Sequence, residues 1–309
     1  MTKSRTAAPP AEHARSPFTP ESTKDTLLEA CAAVGLDPAN AELIRLGENA
    51  VYRLASPVIV RIGRTVAYAD DARKEVAVAR WLATEDYPAT RALPIDQPVI
   101  VDGRVVTFWE SLSEVEEYGS PVEVGALLAR LHTLEPPAGL QIPRLEPFAR
   151  AERRITGNDW FSPEDAAFLR ERLAQLREGY ATLIFELPQG VIHGDANVGN
   201  VIRDRAGRPV LIDLDGFAVG PREWDLILTA IYYERFGWHT TEEYEAFTSV
   251  YGFDVMRWPG YPVLRDVREF LMVTWLSQKA SHDERTAAEV RKRIRALRTG
   301  ASRRDWEPY

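Results

Sequence analysis

Apolar residues follow two textures along the chain. In the first third they come in short runs with strand-like alternation. "AELIRLGENAVYRLASPVIVRIGR" predicts three strands, with a turn at residues 47–49 and a break at Pro57. "QPVIVDGRVVTFWESL" predicts a hairpin turning at Asp102 and Gly103. Between them, "DDARKEVAVARWLATE" places Ala72, Val76, Ala79 and Ala83 on one face with Glu75 beside them, the spacing of a helix. A short helix over residues 23–34 precedes the strands.

From Pro121 the apolar period lengthens. "VEVGALLARLHTL" and "SPEDAAFLRERLAQLREGYATLIF" predict helices, the second with Ser162 as N-cap, Pro163 at N1 and Asp165 at N3. Further helices are expected over residues 222–236, 241–251, 262–281 and 282–298. One strand-rich stretch interrupts this half, "VIHGDANVGNVIRDRAGRPVLIDLDGF" from Val191 to Phe217. The expected fold class is α+β, with a small antiparallel β-rich lobe carrying one main helix over residues 23–112 and a larger α-helical lobe over 113–298. Residues 1–22 read as a disordered lead and 299–309 as a C-terminal tail.

The formal net charge of −8 argues against a nucleic-acid partner and suits a cationic or metal-bound ligand. The single cysteine, Cys31, cannot form an internal disulfide, and its helical spacing from Leu27 and Val34 reads as a core thiol. No apolar run reaches membrane-spanning length and the N-terminus lacks a signal-peptide core, so the expectation is a cytoplasmic monomer or homodimer with no membrane partner. Between Arg285 and Arg304, eight Lys or Arg face one Glu, which reads as a solvated basic helix face.

Candidate chemistry concentrates in the strand-rich stretch. Asp195 and Asn200 stand five apart in a Gly-punctuated loop, and Asp213 and Asp215, two apart at the end of "PVLID", are expected to project from one strand face. Carboxylates this close to apolar strands are costly to bury alone, so a divalent cation or a set of hydrogen-bond donors is expected. Mg²⁺ takes one or two protein oxygens and leaves its other positions to water and phosphates. Asn200 and Asp213 suit that task, leaving Asp195 to accept a proton, the division of labour of phosphoryl transfer. In "REWDL", Asp225 reads as a loop anchor and Glu223 as a helix cap. Two other readings fit the same residues: a metal-dependent hydrolase using His193, Asp195, Asp213 and Asp215, and a non-catalytic nucleotide-binding protein.

"HGDANVGN" followed by "IDLDGFAVGPREWDL" resembles the signature of the aminoglycoside phosphotransferase and choline kinase-like superfamily, small-molecule kinases with a protein kinase-like, two-lobed fold. "LGENAVYRL", "VIVRI", "KEVAVARWLA" and "LLARLH" extend the resemblance over most of the chain, in the family's order. It implies transfer of a γ-phosphoryl group from ATP or GTP, with Mg²⁺, to a hydroxyl. Asp195 would be the catalytic base, Asn200 and Asp213 the metal ligands, and His193 a structural member of the loop. Asp215 would touch a second metal ion or hydrogen-bond nearby amides. Glu75 would hold the phosphate-binding cation, which here is Arg61 where a Lys is common. The nucleotide loop has the single glycine Gly47; Asn49 would donate to the phosphates, or the same residues make an ordinary hairpin turn. In "TFWESL", Trp109 and Ser111 would offer hinge groups to the nucleotide base. The acceptor would be an aminoglycoside or another amine-bearing or sugar-like molecule, in resistance, metabolism or biosynthesis. It would meet Glu234, Trp238, Glu269 and Trp275 in a region where ten acids outnumber five basic residues between Gly190 and Glu245.

Overall fold

Alternation along "VIVRIG" decides the core of the strand-rich region. In the computed structural model, which describes residues 18–55 and 57–309, Val58, Val60 and Ile62 turn to the buried side of strand β3 (Val58–Gly63), and Arg61 turns to the other. Most of the expected disordered lead, residues 1–17, lies outside the described residues. Residues 20–22 do not belong to a lead: helix α1 (Pro20–Val34) starts at Pro20, because Pro20 suits the first helical position and Thr19 Oγ1 accepts the Ser22 N–H.

The described residues divide into two compact units, one reaching to Val76 and including Ala92–Ser111, the other Ala77–Arg91 with Leu112–Tyr309. The first holds one antiparallel sheet in the order β1-β2-β3-β5-β4, built from β1 (Glu42–Leu46), β2 (Asn49–Arg53), β3, β4 (Val99–Val101) and β5 (Arg104–Glu110). Asp102 and Gly103, both at positive φ, close the β4–β5 hairpin at the expected place. Leu27, Ala30 and Cys31 of α1 pack with Ala50, Tyr52, Val60, Ile62, Val106 and Phe108 in one core. Each fully buried aliphatic or aromatic side chain there contributes about 1.5–3 kcal/mol. Burial pushes the Cys31 thiol up to about 11, with the nearby Asp37 charge adding to the shift.

Helix α2 (Ala69–Thr84) buries Glu75, Val76, Val78, Ala79, Trp81 and Leu82, while Ala83 is exposed and Ala72 half-buried. The expected stripe is thus rotated, because burying Trp81, Leu82 and Val78 removes more apolar surface from water than burying two alanines.

The second unit carries α3 (Pro121–Leu131), α4 (Ala149–Thr156), α5 (Pro163–Ala181), α6 (Glu223–Ile231), α7 (Thr241–Tyr251), α8 (Tyr261–Leu276) and α9 (Glu284–Thr299). Ser162 caps α5 as expected, accepting the Asp165 N–H at 3.0 Å. Past Ile231 the helix widens into a π-helical turn, Tyr232–Phe236. Two of the basic residues expected on a solvated face are buried. Arg293 lies against Glu289 at 2.8 Å and Arg303 against Glu269 at 3.0 Å, since a guanidinium enters the interior only with a carboxylate partner. Two short antiparallel pairs carry the polar stretch: β6 (Gln189–Ile192) with β9 (Ala218–Pro221), and β7 (Val201–Arg203) with β8 (Pro209–Leu211). Among the described residues no helix is long and apolar enough to cross a membrane.

Candidate active site

The loop between β6 and β7 is anchored from beneath by one carboxylate. Asp225, in the first turn of α6, accepts the backbone N–H groups of His193 (2.7 Å) and Gly194 (2.8 Å). His132, at the end of α3, reaches the same carboxylate through Nε2 at 3.1 Å, and its Nδ1 meets the Tyr251 hydroxyl at 2.8 Å. Burial alone would raise the Asp225 pKa. The hydrogen bonds from His132 and the Gly194 N–H, with the favourable electrostatics of the two neighbouring imidazoles, outweigh it and hold the carboxyl below the usual range. Asp225 therefore anchors the loop as its sequence position suggests. Glu223 is not a helix cap: it is fully buried, and its Oε1 accepts the N–H groups of Glu186 and Leu187.

Gly194 is required by geometry. Its φ is +89°, and a Cβ there would stand 2.2 Å from the Gly216 carbonyl oxygen. The β6–β7 loop and the turn after β8 thus touch backbone to backbone, which only glycine permits. His193 braces the same junction: Nδ1 accepts the Asp195 N–H at 3.3 Å, so Nε2 carries the proton it donates to the Ile212 carbonyl at 2.9 Å.

Asp195 is exposed on this frame, with 55 % of its side chain accessible. Asn200 donates through Nδ2 to the Asp195 carbonyl (2.8 Å) and to Asp195 Oδ2 (3.2 Å), and its own carbonyl accepts the Ile212 N–H at 2.9 Å. That backbone bond ties Asn200 to the segment leading into Asp213. Asp213 and Asp215 do not share a strand face. Strand β8 ends at Leu211, and Asp213 adopts a left-handed conformation (φ 61°, ψ 66°) ahead of a 3₁₀ turn, Leu214–Gly216. The Asp213 carboxylate is exposed and makes no capping bond to that turn. Asp215 instead pairs with Arg150 at 2.9 Å. Among the described residues no three His, Cys, Asp or Glu side chains group to hold a metal. The pair Asn200 and Asp213 suits a cation that takes most of its oxygens from water and phosphate.

In the strand-rich unit, Arg61 Nη1 meets Glu75 Oε1 at 2.6 Å, the expected ion pair, and its guanidinium lies 5.1 Å from the centre of the Trp109 ring. Trp109 is itself buried, with Nε1 donating to Thr107 Oγ1 at 2.9 Å, so its side chain is core and only its backbone could serve as the expected hinge group. The Ser111 N–H is likewise taken, by the Pro57 carbonyl at 2.8 Å. Asn49 is exposed at the start of β2, beside a turn in which the Gly47 N–H donates to the Asn49 carbonyl at 3.0 Å. The hairpin reading of this loop is therefore realised in its backbone.

The expected acceptor contacts separate. Glu269 is 1 % exposed and spent on Arg235 (2.7 Å) and Arg303 (3.0 Å), a structural carboxylate that cannot meet a ligand. Trp238 joins an aromatic cluster with Tyr232, Phe236 and His239 and donates from Nε1 to the Trp306 carbonyl at 3.2 Å. Glu234 is half-buried and accepts the Tyr261 hydroxyl at 2.7 Å. Trp275 is half-buried with Lys279 4.7 Å over its ring. Several acids behind the expected negative field are committed elsewhere, among them Asp204 to Arg208, Asp215 to Arg150, and Glu223 and Asp225 to backbone.

Sequence reasoning missed three residues around Asp195. Arg268 of α8 donates to Asp195 Oδ1 at 2.9 Å and to the Gly194 carbonyl at 3.2 Å. Trp224 donates to that same carbonyl at 2.9 Å and lies 4.7 Å beneath the Arg268 guanidinium. Tyr232 opens the π turn; burial pushes its phenol up, and the Asp195 charge adds to the shift. A π turn beside a polar loop is a common mark of a functional site. No short-range spacing announces Arg268, which stands 73 residues from Asp195.

A model of the phosphotransferase enzyme family matches residues 42–267, and the chain belongs to that family. A probable ketoamine kinase from Lactiplantibacillus plantarum is 34 % identical over 92 residues, which span 30 % of this chain and 30 % of that relative. Among solved structures, the amicoumacin kinase hAmiN, in complex with AMP-PNP, Ca²⁺ and Ami, superposes with a TM-score of 0.71 at 15 % identity, over 94 % of this chain and 98 % of that one. The choline kinase LicA from Streptococcus pneumoniae gives 0.62 at 15 % identity, over 89 % and 99 %. The fold is therefore kinase-like, with an antiparallel-sheet N-terminal region and a helical C-terminal region.

Proposed function

We propose that this small-molecule kinase moves the γ-phosphoryl group of ATP, with a divalent cation, to a hydroxyl of an amine-bearing or sugar-like acceptor. The observation that carries the reading is the division of roles around one loop: an exposed carboxylate, Asp195, held at Oδ1 by Arg268 and touched at Oδ2 by Asn200, near the exposed carboxylate of Asp213. As the acceptor oxygen bonds to the γ-phosphorus and the bond to the ADP oxygen breaks, Asp195 takes the hydroxyl proton. Asn200 Oδ1 and Asp213 would hold the cation, which when bound offsets charge on the phosphates. Arg61, held by Glu75, offers the phosphates a permanently charged guanidinium, and Asn49 an amide donor. His193 and Asp225 keep the loop in place, and Asp215 supports the neighbouring turn through Arg150.

The AMP-PNP bound to the amicoumacin kinase favours ATP over GTP as donor. The names of two relatives, a ketoamine kinase and a choline kinase, favour an amine-bearing acceptor. A metal-dependent hydrolase would need His193 as a ligand, and both ring nitrogens are engaged, one by the Asp195 N–H and the other by the Ile212 carbonyl. The test is a screen of hydroxylated amines, ketoamines and sugars for consumption of Mg-ATP, with ³¹P NMR of the product. A phosphomonoester formed on one acceptor class supports the reading; Pi released at the same rate whatever acceptor is added contradicts it.

A further inference from the structure

Arg268 is energetically out of place as a structural residue. It is 7 % exposed, and burying a charge is costly unless its partners compensate it fully. Its hydrogen bonds are two, one to the Gly194 carbonyl and one to Asp195 Oδ1, while Nε is buried with no hydrogen-bond partner among the described residues. Its ionic partner, Asp195, is largely in solvent and needs no buried cation to neutralise it. A well-packed apolar side chain would serve the fold at this position at least as well. What the guanidinium does instead is geometric. With Trp224 beneath it, its fork holds a backbone oxygen of the loop and one carboxylate oxygen at once, so the carboxylate is fixed relative to the chain that carries it. A lysine ammonium, a point charge on a flexible stem, cannot impose that alignment.

We propose that Arg268 is a positioning residue for phosphoryl transfer: by pinning Asp195 Oδ1 it presents Oδ2 as the oxygen that receives the acceptor's hydroxyl proton. The inference rests on Asp195 being the base. The neighbouring residue Glu269, fastened to Arg235 and Arg303, fixes this part of α8 and so the height of Arg268 over the loop.

The test uses the full chain with Arg268→Ala, Arg268→Lys and Asp195→Asn, assayed with Mg-ATP and the best acceptor from the screen above. Arg268→Ala should lower kcat by about 10²-fold, the scale of a small misplacement of a reacting group. The KM for Mg-ATP should stay unchanged. Arg268→Lys should recover only part of the loss. Guanidinium added at a non-denaturing concentration should restore Arg268→Ala but not Asp195→Asn. An Arg268→Ala variant with kcat close to that of the unmutated protein, or one that does not respond to guanidinium, overturns the inference while leaving the kinase reading intact. If the unmutated chain phosphorylates nothing, the kinase reading itself fails. A crystal structure of Arg268→Ala decides the positioning claim without any acceptor: a displaced Asp195 carboxylate supports it, and an unmoved one overturns it.

Discussion

Asp195 and Glu269 are both carboxylates held by arginine, and Arg268, which holds the first, is the immediate chain neighbour of the second on α8. Their surroundings differ sharply. Glu269 is closed off from water with a guanidinium on each oxygen, while Asp195 is more than half exposed with one oxygen fixed by an arginine and the other touched by an amide. An acid saturated by buried partners has nothing left to offer a substrate and serves the scaffold. An acid fixed on one side and open on the other retains a lone pair for chemistry. Helix α8 thus meets the β6–β7 loop at one residue and the C-terminal scaffold at the next.

The comparison fails first if Glu269 proves dispensable. Glu269→Gln leaves Arg235 and Arg303 without their shared counter-charge, and urea unfolding should register a loss of about 3–5 kcal/mol, with nucleotide affinity unchanged. Gly194→Ala tests the loop side. A Cβ driven toward the Gly216 carbonyl at a positive φ should cost about 2–3 kcal/mol or more by the same measurement. Asp225 sharpens the contrast through pH. Its carboxyl titrates below the ordinary range in the folded chain, so the stability it contributes is present above about pH 4 and is lost as pH falls further. Asp225→Asn should lose about 1–3 kcal/mol at pH 7 and show a shallower decline of Tm between pH 5 and 3, in differential scanning calorimetry run across that range. The smallest effect concerns Cys31: with its thiol pushed up to about 11 in a closed core, it should react with a thiol reagent at pH 8 only on unfolding.

What the sequence disclosed follows the range of the interactions involved. The strands and their hairpin at Asp102 and Gly103 are written in period-two alternation and turn chemistry, and the cap at Ser162 in three adjacent residues. The loop from His193 to Asn200 and its anchor Asp225 are close in sequence, so their chemistry is visible as spacing. Glu269 looked like a ligand contact because its partners stand 34 residues away on either side. Arg268 was invisible for the same reason. The strand face expected to carry Asp213 and Asp215 failed locally: β8 stops at Leu211, and the left-handed residue at 213 separates the two carboxylates. The buried stripe of α2 followed the bulk of Trp81 and Leu82 over the small alanines that marked the simpler period.

The central claim is that the open oxygen of Asp195 receives the acceptor proton. Single-turnover transfer from γ-labelled Mg-ATP, compared between the unmutated chain and Asp195→Asn at saturating nucleotide, tests it most directly. The account predicts a loss on the order of 10²–10⁴-fold in transfer with the Kd for Mg-ATP unchanged. An Asp195→Asn variant that transfers at the unmutated rate would contradict it.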